Sequence, residues 1–224
     1  MLSTEKEKLK TIVDKIQALG KSTLSTNEDI LQALKNCNSS CDMSQINALS
    51  KKQRYEAIDG IDNSIITVFA LYSPEARDLR LLVAYLKITN EFDRIAKQCT
   101  AFIRDFPDAI SSDIDKDFIL EYAVPLQKSS VNTLNSIVNL LAEKDKDLIQ
   151  ELYTEIVIEE SKNDDLYKII EKSLLKKMKK ELHLSYQYQS VMAALRRLEK
   201  IADRALSIAN LMHYAKIGGE LGNP

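Results

Sequence analysis

Apolar residues recur at intervals of three and four along nearly the whole chain, the period of a helix with one buried face. Leu9, Ile12, Val13, Ile16 and Leu19 share such a face, and Ile30, Leu31 and Leu34 resume it. They predict a first helix over residues 2–36. Asn38, Ser39 and Ser40 mark a loop, because short polar side chains compete for backbone hydrogen bonds. Ile46, Leu49, Ile58, Ile61, Ile65, Val68 and Phe69 predict a second helix over 42–71. Ser73-Pro74 stops and restarts the chain, since Ser caps a helix and Pro fits its first turn. A third helix follows over 74–105, ending before Phe106-Pro107. Ile119, Val124, Leu126, Val131, Leu134, Ile137, Val138 and Leu141 mark a fourth over 113–142. Pro125 is expected to kink that helix or to mark its true start. A fifth helix is predicted over 145–180 and a sixth over 182–217, closed by Gly218 and Gly219.

Three long helices, a proline-marked gap and three more suggest an internal duplication. Sliding the chain by about 106 residues lays Asp93-Arg94-Ile95-Ala96-Lys97 onto Glu199-Lys200-Ile201-Ala202-Asp203. Ile-Ala matches identically, and an acid leads both segments. The expected fold is all-α: two tandem, pseudo-repeated three-helix bundles packed side by side, with antiparallel neighbours. The first repeat spans 1–107, the second 108–217, and 218–224 is a frayed tail.

Composition narrows the classes. Five Gly and four Pro in 224 residues lie far below the roughly 7% and 5% of globular chains, which disfavours sandwiches, propellers and glycine-looped nucleotide folds. Lys plus Arg number 31 against 33 Asp plus Glu, a poor footprint for nucleic-acid binding. No run approaches the roughly 18 apolar residues of a membrane span, and the charged first residues lack the apolar core of a secretory signal. An odd set of three cysteines, Cys37, Cys41 and Cys99, fits a reducing compartment. Cys37 and Cys41 read as two reduced thiols near a helix end, and the protein as cytoplasmic.

The informative chemistry is the placement of acids. On the third helix the stripe Leu79, Leu82, Val83 and Leu86 continues to Asn90, Asp93 and Lys97. On the sixth, Met192 and Leu195 lead to Glu199 and Asp203. Residues four apart project from one face about 6 Å apart, close enough to share a cation. An unpaired buried carboxylate costs several kcal/mol, so each acid must be solvated, paired or metal-bound. Arg196, Lys200 and Arg204 supply the ion-paired reading. Asp59 and Asp62 on the second helix share a face, as do Glu160 and Asp164 on the fifth. His183 and His213 sit at opposite ends of the sixth helix without an acid–base partner. No nucleophile–base–acid set, Walker loop or cofactor fingerprint occurs, so no enzyme is expected. Lys176, Lys177, Lys179 and Lys180 read as a solvated helix end complementing the dipole; an acidic partner or anionic membrane surface is the alternative. Tyr186 and Tyr188 cannot share one helical face.

Two stretches carry a family resemblance. Ser73-Pro74-Glu75-Ala76-Arg77-Asp78-Leu79-Arg80, followed by Asn90-Glu91-Phe92-Asp93-Arg94-Ile95-Ala96, resembles the PhoU phosphate-signalling family. So does Leu195-Arg196-Arg197-Leu198-Glu199-Lys200-Ile201-Ala202-Asp203-Arg204-Ala205. The resemblance implies two repeated three-helix bundles. It also implies a non-enzymatic regulator of phosphate uptake and phosphate-starvation signalling at the cytoplasmic face. Such a regulator contacts a phosphate ABC transporter, a sensor histidine kinase or both, is expected to be a homodimer, and associates peripherally with membrane proteins only. Some members of the family bind divalent or ferric metal, iron or zinc, at acidic boxes, one per half. Glu199 and Asp203 keep the second box, and the resemblance brings Glu160 and Asp164 to face it. Asp93 keeps the first acid of the first box, faced by Asp59 and Asp62, but Lys97 stands where its second acid belongs. That exchange puts a cation beside the site, so the first box is expected to be empty or weak. Two other readings stay open: a metal-dependent phosphoesterase on the clustered carboxylates, and a helical adaptor unrelated to phosphate.

Overall fold

The computed structural model describes residues 3–37, 41–74, 76–110 and 113–218. The expected loop at Asn38, Ser39 and Ser40, together with Gly219 and the rest of the expected tail, lies outside the described residues. Among the described residues six long helices form: α1 (Ser3–Lys35), α2 (Lys51–Tyr72), α3 (Ala76–Ala109), α4 (Lys116–Ala142), α5 (Lys146–Lys180) and α6 (Ser185–Ile217). No strand occurs among the described residues. The apolar stripes go inward as their period requires: Ile12, Ile16, Ile30 and Leu34 of α1, and Ile58, Ile61, Ile65 and Val68 of α2, are buried.

The termini explain where the pattern misleads. The second helix begins at Lys51, not at 42. The Asp42 carboxylate accepts the Ser44 N–H at 2.8 Å, offering the backbone a local turn in place of a helix. Ser50 then starts the helix with a capping box: its hydroxyl accepts the Gln53 N–H and the Gln53 side chain accepts its own N–H. The third helix runs past Phe106-Pro107 to Ala109 rather than stopping before them. Pro107 falls in the last turn, where few later hydrogen bonds depend on it, and buried Phe106 stacks on Phe102 at 4.7 Å to hold that turn in place. Pro125 lies inside α4, whose start is Lys116, capped by Asp115 on the Phe118 N–H. A 3₁₀ turn, Leu182–Leu184, precedes the sixth helix, which therefore starts at Ser185. Gly218 ends it at φ +96°, in the left-handed region glycine tolerates.

Helices α1–α3 and α4–α6 form two three-helix bundles, joined through α1 against α4 and α3 against α6. Both joining pairs are antiparallel. Gly20 faces Leu141 while Asn27, further along α1, bonds Gln127, further back on α4. Arg197 likewise bonds Asp105, and the later Arg204 reaches the earlier Glu91. The α1–α4 seam is partly polar: the fully buried Gln127 amide donates to the Asn27 backbone and side-chain oxygens at 2.9 and 3.1 Å.

Two further expectations are corrected. Leu82 is buried, but Leu79 and Val83 of the same predicted stripe are 42% and 40% exposed on the outer side of α3. Cys37 and Cys41 are joined as a disulfide rather than left as two thiols. Their Cα atoms lie 4.6 Å apart, inside the range a disulfide spans. No described helix is long and apolar enough to cross a membrane.

Candidate metal centre

Helices α5 and α6 lie side by side and bring the acids of the second half together. Carboxylate oxygens of Glu160, Asp164 and Asp203 lie within 4.8 Å of one another, the one such trio of ligand-type side chains among the described residues. Glu160 and Asp164 are one helical turn apart on α5, and Asp203 faces them from α6. Glu199, one turn before Asp203, adds its charge: it is felt by Glu160 and itself feels Asp164 and Asp203.

Like charges this close need a counter-charge. Lys200 supplies part of it, its ammonium donating to Glu199 Oε1 at 3.0 Å and to Asp203 Oδ2 at 2.5 Å. Burial works against the Lys200 charge, but the two carboxylates outweigh it and raise its pKa. Lys168 adds a weaker pull on Glu160, but two lysines do not offset four acids. Burial, then the charges of Asp164, Asp203 and Glu199, pushes Glu160 above its ordinary value. Burial likewise raises Glu199, with Lys200 pulling the other way. Glu199 is only 9% exposed, and its Oε2 is buried without a hydrogen-bond partner. Glu199 thus adds a buried, unpartnered carboxylate oxygen next to the three converging acids. All-oxygen, multiply charged sites of this kind suit hard or borderline metal ions.

The first half is built differently. Asp93 accepts the Nε–H of Arg54 on Oδ1 at 2.7 Å and the Lys97 ammonium on Oδ2 at 2.5 Å. Burial pushes Asp93 up, but the hydrogen bonds and charges of Lys97 and Arg54 prevail and leave it below its ordinary value. Both of its oxygens are thus engaged by built-in cations. Asp62 accepts the Thr89 hydroxyl at 3.0 Å and is raised by burial, with Asp59 close enough to add to the effect. Asp59, Asp62 and Asp93 form no trio like that on α5 and α6 among the described residues. Arg94, which aligns with Lys200, bonds Glu91 instead.

Arg54 went unnoticed at the level of sequence. It stands 39 residues before Asp93, and an arginine at the start of an amphipathic helix carries no local sign of a buried partner. Lys200 was legible only as one of three nearby cations. Of the others, Arg204 reaches across to Glu91 at 3.6 Å, bridging the two bundles. His213 bonds Gln150 at 2.7 Å and packs against the Tyr153 ring, an ordinary α5–α6 contact.

Comparison with known proteins places this arrangement. Residues 16–105 and 126–212 each match the PhoU domain. The phosphate-specific transport system accessory protein PhoU of Serratia marcescens is 27% identical over 157 residues, 69% of this chain and 61% of that protein. The crystal structure of PhoU from Pseudomonas aeruginosa superposes with a TM-score of 0.77 at 20% identity, covering 96% of this chain and 99% of that one. The phosphate transport system regulatory protein PhoU from Streptococcus pneumoniae gives 0.78 at 16% identity, covering 98% and 100%. With a PhoU domain matched twice in order, once in each three-helix bundle, the chain belongs to the PhoU family.

Proposed function

We propose that this protein is a non-enzymatic accessory regulator of phosphate transport, acting at the cytoplasmic face through contacts with a phosphate ABC transporter, a sensor kinase or both. The observation that carries the reading is the pair of PhoU domains spanning both bundles. The Serratia relative is named for the phosphate-specific transport system and the Streptococcus structure for phosphate transport regulation, which supports the same pathway here. Deleting the gene tests it. Altered phosphate uptake, or altered phosphate-starvation output at constant external phosphate, is expected; unchanged values of both would assign the chain to another pathway.

Within that reading, the trio on α5 and α6 is the metal centre. Glu160, Asp164 and Asp203 would hold one divalent or ferric ion, with Glu199 as a fourth donor through its unpartnered Oε2. A bound ion supplies positive charge that ties α5 to α6; the chain's own part is to gather four acids on two helices and to hold them with Lys200 until an ion arrives. The first box takes none, because Arg54 and Lys97 already neutralise Asp93. Metal analysis of purified protein should give one ion per chain, lost in Glu199→Ala combined with Asp203→Ala.

A further inference from the structure

The turn between α5 and α6 combines two features that rarely share an exposed position. Between Lys172 and Tyr186 the chain carries five lysines and one glutamate, although its overall net charge is -2. Leu175, Lys176 and Lys179 stand three, four and seven residues after Lys172, so the four form one stripe on α5. All four are exposed, as is Lys180. None of Lys172, Lys176, Lys179 and Lys180 makes an ion pair among the described residues. The stripe runs directly into large apolar groups in water: Leu175 is 43% exposed, Leu182 77% and Tyr186 78%.

The turn is firmly mounted. Leu174, Leu184 and Tyr188 are buried beneath it. The Tyr188 hydroxyl donates to Glu181 at 2.5 Å. Lys177, the one lysine of the run turned inward, bonds Asp115 at 3.3 Å and lies 4.8 Å over the Phe118 ring. Leu182 and Tyr186 are therefore held outward by a fixed scaffold. Exposure this high at a hairpin end belongs to side chains that project, not to side chains that line a cleft. The matching turn of the first bundle, between α2 and α3, also exposes apolar groups (Ile66, Leu71), but α2 has no basic residue in its last turn.

We infer that the α5–α6 turn is a docking surface for an anionic lipid bilayer. Unpaired lysines are attracted to a negative headgroup layer, while leucine and an amphipathic tyrosine enter the interface beside them. Lys176 and Lys180 border a depression shared with Phe118, Ser173, Lys177 and Glu181, but the exposed apolar groups Leu175, Leu182 and Tyr186 lie outside it, which suits a planar partner with an apolar layer beneath its charges rather than a peptide seated in the depression. The surface begins 8 residues beyond Asp164 on the same helix, at Lys172, and runs to Lys180, 16 residues beyond it, about 12 to 24 Å along the axis at 1.5 Å per residue. It is thus separate from the proposed metal centre. It extends the expected contact with membrane proteins to the lipid around them, and it stands whether or not the phosphate reading holds.

Co-sedimentation of the full chain with vesicles tests the assignment, comparing pure phosphatidylcholine with phosphatidylcholine containing phosphatidylglycerol. Binding to the anionic vesicles alone is expected, weakening as salt is raised. Replacing Lys176, Lys179 or Lys180 by Gln should lower the affinity about five-fold per lysine. Leu182→Ser with Tyr186→Ser should weaken it further without changing the helical content, since neither side chain is buried. The assignment is overturned if anionic vesicles fail to bind at low salt, or if binding survives loss of all three lysines. It is equally overturned if soluble polyglutamate binds through these lysines while the vesicles do not, because the occupant is then an acidic protein segment.

Discussion

Arg54 Nε donates to Asp93 Oδ1 at 2.7 Å, joining α2 to α3 at the place where the second half of the molecule gathers acids that Lys200 offsets only in part. The arginine side chain is 6% exposed and the carboxylate 14%, whereas Lys97, on the other oxygen, is 52% exposed. The two cations are therefore unequal partners. Removing one side of a buried ion pair costs far more than removing an exposed partner. Arg54→Met is expected to destabilise the chain by about 3 kcal/mol, and Lys97→Met by less than about 1 kcal/mol. Urea unfolding midpoints at neutral pH check the ranking; equal losses would mean that exposed Lys97 counts for as much as buried Arg54 in neutralising Asp93.

Glu160 and Glu199 on one side and Asp93 on the other should also respond oppositely to acid. Glu160 and Glu199 have folded-state pKa values raised above the ordinary 4.5, chiefly by burial. Between the ordinary and the raised values the folded protein binds more protons than the unfolded chain, so stability falls as pH rises through that window. Asp93 is depressed below 3.8, so its contribution is present above that value and is lost as pH falls through the depressed one. Chelator-treated protein should accordingly become more stable on acidification from neutrality towards pH 4.5, then lose stability below it. Glu160→Gln should flatten the rise. Urea titrations at stepped pH give both slopes.

Metal should replace that acid-side gain. An ion at a hundred times its dissociation constant adds about 2.7 kcal/mol to a protein that binds it only when folded. Thermal unfolding at neutral pH is expected to shift upward on adding iron or zinc, in wild type and in Asp93→Asn alike, and not in Asp203→Asn. A shift that Asp93→Asn abolishes would move the centre to the first half.

The seam between the bundles rests on a different kind of contact. Gln127 is fully buried and its amide nitrogen serves two Asn27 oxygens. Asn27 also donates to Thr23 O and to the Cys99 sulfur, a thiol pushed by burial up to about 12. Gln127→Ala removes the donor, leaves the Asn27 side-chain oxygen with only the weak Cys99 S–H donor and opens a cavity. The expected loss is about 3 kcal/mol, while exposed Lys128→Ala should fall within about 0.5 kcal/mol.

Period alone is enough to read the helices, because a 3.6-residue repeat of Ile, Leu and Val has few other ways to be buried. It fails where side chains act locally. Ile46 and Leu49 keep a helical interval, yet Asp42 and Ser50 direct the backbone into a turn followed by a capped start. It fails again at Leu79 and Val83, whose spacing matches Leu82 but whose side of α3 receives no neighbour. The acids Glu199 and Asp203 are legible as a pair because they are one turn apart. Their convergence with Glu160 and Asp164 depends on how α5 lies against α6, and Arg54's role on how α2 lies against α3. Neither docking leaves a mark in the local pattern.

Gly20 offers the last test, because its place on α1 is set by the neighbouring bundle and not by its own helix. A Cβ built there would lie 3.1 Å from Leu141 Cδ1, 3.4 Å from Phe92 Cζ and 3.6 Å from Val138 Cγ2. The tightest of these is the end of a flexible side chain. Gly20→Ala therefore trades a small displacement of Leu141 against roughly 1 kcal/mol of helix propensity, and its net effect should be under about 1 kcal/mol. Gly20→Leu has no such outlet. Its branch must enter the space of Phe92 and Leu141, both almost fully buried, and overpacking of this kind costs about 1–3 kcal/mol or forces α1 away from α4. The Leu variant is expected to unfold at clearly lower urea than the Ala variant. Hydrogen exchange of α1 and α4 amides distinguishes a parted seam from a uniform loss, since only the former raises exchange selectively in those two helices.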